Sequence, residues 1–91
     1  MNIHTIKLNE QFCDDVMEGL KTFEIRLNDR NYQVGDIIHF KPVTNDGNEY
    51  YHKIVNRVYQ ITYIISGWGL QNGYVAFSIK EIQCDPLEDY V

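Results

Sequence analysis

Thr22, Glu24 and Arg26 alternate along a stretch of period two, which sets them on one face of a strand, roughly 7 Å apart in steps of two. Lys21 stands where a helix should end and that strand begin. A lysine, a carboxylate and a guanidinium at such a corner can hold an anion or a nucleobase. Arg and Lys reach a phosphate or carbonyl oxygen, and Glu accepts from exocyclic amines. The same spacing also arises on a solvated strand whose charges only pair with each other. Arg30 and Asp29 follow in a run of turn residues, 28–31. Trp68, the sole tryptophan, lies between Gly67 and Gly69 in a loop. It could offer a base a stacking face, or fold back over the end of the domain as large aromatics commonly do. Tyr50, Tyr51 and Tyr74 are lesser stacking candidates.

The rest of the chain limits what such a corner could serve. Ninety-one residues, 44% hydrophobic and 23% charged, make one ordinary globular domain. It should bury only roughly 60–65% of its unfolded surface. No apolar run approaches the roughly 20 residues of a membrane span. The start, Met1-Asn2-Ile3-His4, has no basic patch followed by an apolar stretch, so the expected compartment is cytoplasmic. Of the net charge of −5, four units fall in an acidic tail over residues 81–91: Glu81, Asp85, Glu88 and Asp89, with no Lys or Arg. The expected domain, residues 1–80, is left with eight basic and nine acidic groups. A strong non-specific duplex binder neutralises many phosphates, and this body cannot. Cys13 and Cys84 are expected to be reduced thiols, Cys13 on the core side of a helix. His4, His39 and His52 share no ligand spacing with one another or with the cysteines, so no metal or cofactor is expected.

The elements that must position the corner are legible from periodicity. Residues 3–8 alternate His4, Ile6 and Leu8 against Thr5 and Lys7, a short strand. Asn9 is a good N-cap, and Phe12, Cys13, Val16, Met17 and Leu20 recur at helical spacing until Gly19, which can close the helix in a left-handed conformation. One helix near residues 10–19 follows. Over residues 22–27 the period becomes two, with Phe23, Ile25 and Leu27 as the apolar face and Thr22, Glu24 and Arg26 as the face opposite the core. Gly35-Asp36 is a turn that starts the next strand, Pro42 ends it, and residues 45–48 are hairpin chemistry. The stretch 50–65 is long for one strand, and its alternation slips near Arg57-Val58, which predicts a bulge or a bend there. Val75, Phe77 and Ile79 give a clean last strand. One helix cannot cover both faces of an open sheet of this size, so the expected fold is a curled, mostly antiparallel sheet of five to six strands plugged by the helix. Val75, Phe77, Ile79, Phe23, Ile25, Val16 and Phe12 are its expected core.

The spacing Gly19-x-Lys21-x-x-Glu24-x-Arg26 resembles the G-x-K-x-x-E-x-R signature of ASCH (activating signal cointegrator homology) domains, relatives of the PUA RNA-binding domain. The continuation from Lys21 through Asn28-Asp29-Arg30 and Tyr32-Gln33-Val34 to Gly35-Asp36 is similar to a bacterial and phage branch of that superfamily, itself of unknown function. The segment Gly67-x-Gly69-Leu70-x-x-Gly73-Tyr74-Val75 is similar too. The resemblance covers roughly residues 3–80. It implies an α+β, mainly β pseudobarrel with the helix over one opening, and a cleft lined by Lys21, Glu24 and Arg26 that takes RNA or a nucleotide. It places Arg30 and Asp29 beside the cleft.

Some small ASCH proteins resemble amidohydrolases acting on acylated cytidine, with a threonine nucleophile, a lysine and a glutamate. Lys21 matches the lysine; Glu24 stands at the threonine position, and Thr22 is the only neighbouring hydroxyl on that face. A nucleophile needs its base within hydrogen-bond reach, and the sequence supplies no such pair. The expected function is therefore a non-catalytic module for single-stranded RNA or a nucleotide. The alternatives are that hydrolase and a protein-interaction accessory factor.

Overall fold

Asn9 separates the first two elements: its side chain accepts a hydrogen bond from the Gln11 N–H at 3.0 Å, which satisfies an otherwise orphaned helix donor. In the computed structural model, which describes residues 1–82, β1 is Ile3–Asn9 and α1 is Glu10–Met17. Gly19 then takes φ 76°, a left-handed turn that carries no Cβ penalty in glycine. β2 (Phe23–Leu27), β3 (Ile37–Val43), β4 (Val58–Ser66) and β5 (Tyr74–Ile82) follow, with a 3₁₀ turn at Lys53–Asn56. The strands form one mixed sheet in the order β1-β3-β4-β5-β2. β1 and β3 run parallel, and the other neighbours antiparallel. This is the small, mainly β architecture with one helix after the first strand that the periodicity predicts. No helix among the described residues is long and apolar enough to cross a membrane.

Four of the strands bury alternate residues, as half-covered strands do. Ile6 and Leu8 of β1, Ile38 and Phe40 of β3, Tyr59 and Ile61 of β4, and Val75, Phe77 and Ile79 of β5 make the core. Cys13 and Val16 of α1 are buried against them, and Phe12 packs partly buried on the same cluster. β1 and β2 are the two edges of the sheet, yet side chains join them. Arg26 Nη2 donates to the Lys7 carbonyl at 2.5 Å, and Arg30 Nη1 donates to the Thr5 carbonyl at 3.0 Å. The sheet curls until its edges face each other across a seam bridged by guanidinium groups.

The structure corrects the reading of β2. Phe23 and Ile25, expected in the core, are 49% and 53% exposed, while Glu24 is only 3% exposed. The register gives the reason. Glu24 lies opposite Phe77 and Arg26 opposite Val75, and directly opposed residues share a face. The charged face of β2 is thus the inner face. Leu20 is exposed because α1 ends at Met17, before the apolar stripe does. The slip at Arg57-Val58 is the end of the 3₁₀ turn, whose start is capped by the His52 side chain; the bulge comes later, between Ile61 and Tyr63. The return arm of the hairpin at 45–48 is reduced to one bridge, Val43 with Glu49. Trp68 does not fold back, being 92% exposed. β5 runs to Ile82, so Glu81, grouped with the tail by its charge, lies in the sheet and accepts two bonds from Arg57. Cys84, Asp85, Glu88 and Asp89 lie outside the described residues.

Candidate ligand groove at the sheet seam

The turn after α1 sets Lys21. The backbone N–H groups of Leu20 and Lys21 both donate to the Asp15 carbonyl, at 2.9 and 3.1 Å. From there Lys21 Nζ donates to the Phe23 carbonyl at 2.7 Å and to Glu24 Oε2. Arg26 Nε and Nη2 donate to Glu24 Oε1 at 3.0 and 2.7 Å. Each carboxylate oxygen therefore faces a cation. Burying an unpaired carboxylate would be prohibitive; here two charge-assisted partners offset the cost. With its side chain 4% exposed, Glu24 orients Lys21 and Arg26 and is not itself presented to solvent.

These residues line an open groove of about 520 Å³, together with Lys7, Leu8, Asn9, Phe12, Phe23 and Ile25. Lys21 Nζ lies 5.0 Å from the ring centroids of both Phe12 and Phe23, within cation–π range. Three cations, Lys7, Lys21 and Arg26, against one carboxylate, Glu24, leave the groove at +2 in a chain of −5. The backbone contributes as well. The Thr22 carbonyl accepts from Ile79 N–H and Asn28 N–H donates to the Gly73 carbonyl. By the alternation of an antiparallel ladder, Phe23, Ile25 and Leu27 turn their own amides toward the seam.

Arg26 also lines a second depression of about 360 Å³, with Ile6, Lys7, Leu27, Asp29, Arg30 and Tyr32. It therefore stands between two openings on one seam. Burial pushes the Tyr32 phenol above its ordinary pKa, against the pull of Arg26 and Arg30. Tyr32 packs on His4 and Phe77, with centroids 4.8 and 4.9 Å away. Behind it, Asp36 accepts from His4 Nε2 at 2.8 Å, Asn2 N–H at 3.1 Å and Gln33 N–H at 3.0 Å. Burial raises the Asp36 carboxyl, but these bonds outweigh it and hold the group below its ordinary pKa.

Lys21, Glu24 and Arg26 are thus brought together. Arg30 sits beside them in the second depression. Thr22 is exposed and lines a different, smaller depression, which it shares with Lys21, Gly19 and Lys80. Its hydroxyl makes no hydrogen bond to Lys21 or Glu24, whose side chains bond to each other. Trp68 is on the β4–β5 loop, outside the groove. Gly19 and Gly35 occupy left-handed turns, φ 76° and 93°, and Asp36 anchors the start of β3. Sequence reasoning missed Lys7, Asn9, Phe23 and Ile25 as groove residues. Lys7 could have been found as the outward residue between the buried Ile6 and Leu8.

The crystal structure of the hypothetical protein PH0355 superimposes with a TM-score of 0.59 over 90% of this chain and 100% of that one, at 19% identity, a likeness of fold. An uncharacterised 12.9 kDa protein of Escherichia phage P2, from the region 3′ of GpA, is 47% identical over 36 residues. That match takes in 40% of this chain and spans about a third (33%) of the relative's length. The profile of the domain of unknown function DUF3850 matches residues 3–79, a span that holds all five strands but the end of β5 and the whole groove; the chain belongs to that family.

Proposed function

We propose that the seam groove binds a nucleotide or a short single-stranded RNA segment, in the cytoplasm and as a binding module. The observation that carries this reading is the clamp of Lys21 and Arg26 on the buried Glu24, set in the groove between the unpaired edges of the sheet. A buried ion cluster is a weak stabiliser, because well-packed apolar side chains of similar volume do as well. Its use lies in what it presents, two cations held in a fixed geometry.

The groove volume falls in the range of small-molecule sites, about 300–1,000 Å³. Phe12 and Phe23 offer flat apolar surface to a base, and Lys7, Lys21 and Arg26 suit one or two phosphates. The seam-facing amide of Ile25 can pair with the edge of an unstacked base. The resemblance of the Gly19 to Arg26 spacing to ASCH domains of the PUA-like superfamily points the same way.

The test is a titration with nucleoside monophosphates and short single-stranded RNAs, screened by native mass spectrometry and quantified by calorimetry. The expected complex is micromolar, and Lys21→Ala should weaken it roughly tenfold, one charge-assisted contact's worth. Absence of binding to every member of the set at about millimolar ligand would reject the reading.

A further inference from the structure

The inversion of β2 leaves apolar side chains on the outside of the sheet. Register places Tyr63 of β4, Ser78 of β5 and Phe23 of β2 in one row, and Ile65, Ala76 and Ile25 in the next; Tyr74 and Leu27 pair in a third. This block of three strands contains no charged residue. Phe23, Ile25 and Leu27 are each about half exposed, Tyr63 is 67% exposed and Ile65 37%. The small residues Ala76 and Ser78 run down its middle, so the face is a shallow trough with apolar walls. Beyond Ser78 the next outward position of β5 is Lys80, the start of a polar rim. At the tip of the β4–β5 hairpin Trp68 stands 92% exposed, held at φ 52° between Gly67 and Gly69, which also have positive φ. A non-glycine residue in that conformation is strained and persists where its surroundings impose it.

We infer that this face is a self-association surface on which a second copy of the chain packs, sheet against sheet. The exposed area of its large side chains, Phe23, Ile25, Leu27, Tyr63 and Ile65, is roughly 500 Å², toward the upper end of the largest patch of a monomer and the size of a weak rather than an obligate interface. A two-fold axis near Ala76 lets the β2 wall of each copy enter the trough of the other, as the inner faces of a sandwich interdigitate. Residues 1–80 carry eight basic and nine acidic groups, so two copies meet here with little net repulsion. This block is the region where they can meet without burying a charge. Phe23 and Ile25 stand on the edge this face shares with the groove, while Arg26 faces the seam on the other side of β2.

Sedimentation velocity from about 1 to 500 µM reads the proposal directly. The protein is expected to be dimeric at the upper end. Ile65→Glu, which places a charge beside the axis, is expected to be monomeric there with an unchanged circular dichroism spectrum. Tyr63→Glu, at a more exposed position, is the second variant should Ile65→Glu fail to fold; it is expected to weaken the dimer at least roughly tenfold. A parent protein that stays monomeric over the whole range, or a dimer that a folded variant leaves as tight as before, would overturn the inference.

Discussion

β5 and β2 lie side by side in one sheet and follow opposite rules. β5 buries its apolar alternates, Val75, Phe77 and Ile79. β2 turns Glu24 and Arg26 to the same inner face and leaves Phe23, Ile25 and Leu27 outside. The difference follows from position. β5 is paired on both sides, so nothing but packing decides which of its faces goes in. β2 is an edge beside an open seam, where a charged side chain can reach water at its tip, Lys21 at 16% and Arg26 at 25% exposure. Polar groups can be inward-facing there, provided that they are paired. Where the hydrophobic pattern is inverted, the molecule keeps a cation-bearing groove on one side of the strand and an apolar face on the other.

The largest effect expected from this contrast is on stability. Phe77→Ala, in the two-sided strand, should cost about 3–5 kcal/mol in denaturant unfolding. Phe23→Ala, on the neighbouring strand opposite Ser78 and half exposed, should cost no more than about 1 kcal/mol. Equal losses would break the contrast. Glu24→Ala comes next. It strands Lys21 and Arg26 over an apolar layer, but both can tilt toward solvent, so the expected cost is about 2 kcal/mol, below the 3–5 of a fully buried pair.

A smaller effect concerns the buried carboxylate of Asp36. Asp36 is held below the ordinary value of 3.8 by its hydrogen bonds. A carboxyl with a lowered folded pKa contributes stability that is fully present above the unfolded value and is lost as pH falls through the folded one. Thermal unfolding should therefore steepen in its loss below about pH 4. Asp36→Asn should flatten that limb while lowering stability at neutral pH by about 1–2 kcal/mol. Identical acid limbs in the two proteins would show that the loss belongs to other carboxyls.

Much of this could be read before the structure. Asn9 as cap, Gly19 as helix end, β1 and β5 by alternation, and the nearness of Lys21, Glu24 and Arg26 all rest on local rules. The phase of β2 does not. Five residues that alternate apolar and charged define two faces but not which is inside; that is decided by pairing with β5, fifty residues later. The tyrosines at 50 and 51 favour a strand by propensity, yet the chain there turns through a 3₁₀ segment held by His52. Lys7 and Phe23 are groove residues only because the sheet curls, a global property that no window of sequence carries.

In the proposed binding mode Glu24 holds Lys21 and Arg26 in place for a phosphate-bearing ligand. Affinity of the parent and Glu24→Gln for a short single-stranded RNA, measured over a range of salt, tests it most directly. Weaker binding by Glu24→Gln is expected although a negative charge has been removed, with a salt slope in the parent of about −1.5 to −2, near 0.7 for each of two or three phosphate contacts. Equal or tighter binding by Glu24→Gln, or a slope steeper than about −5, would contradict it.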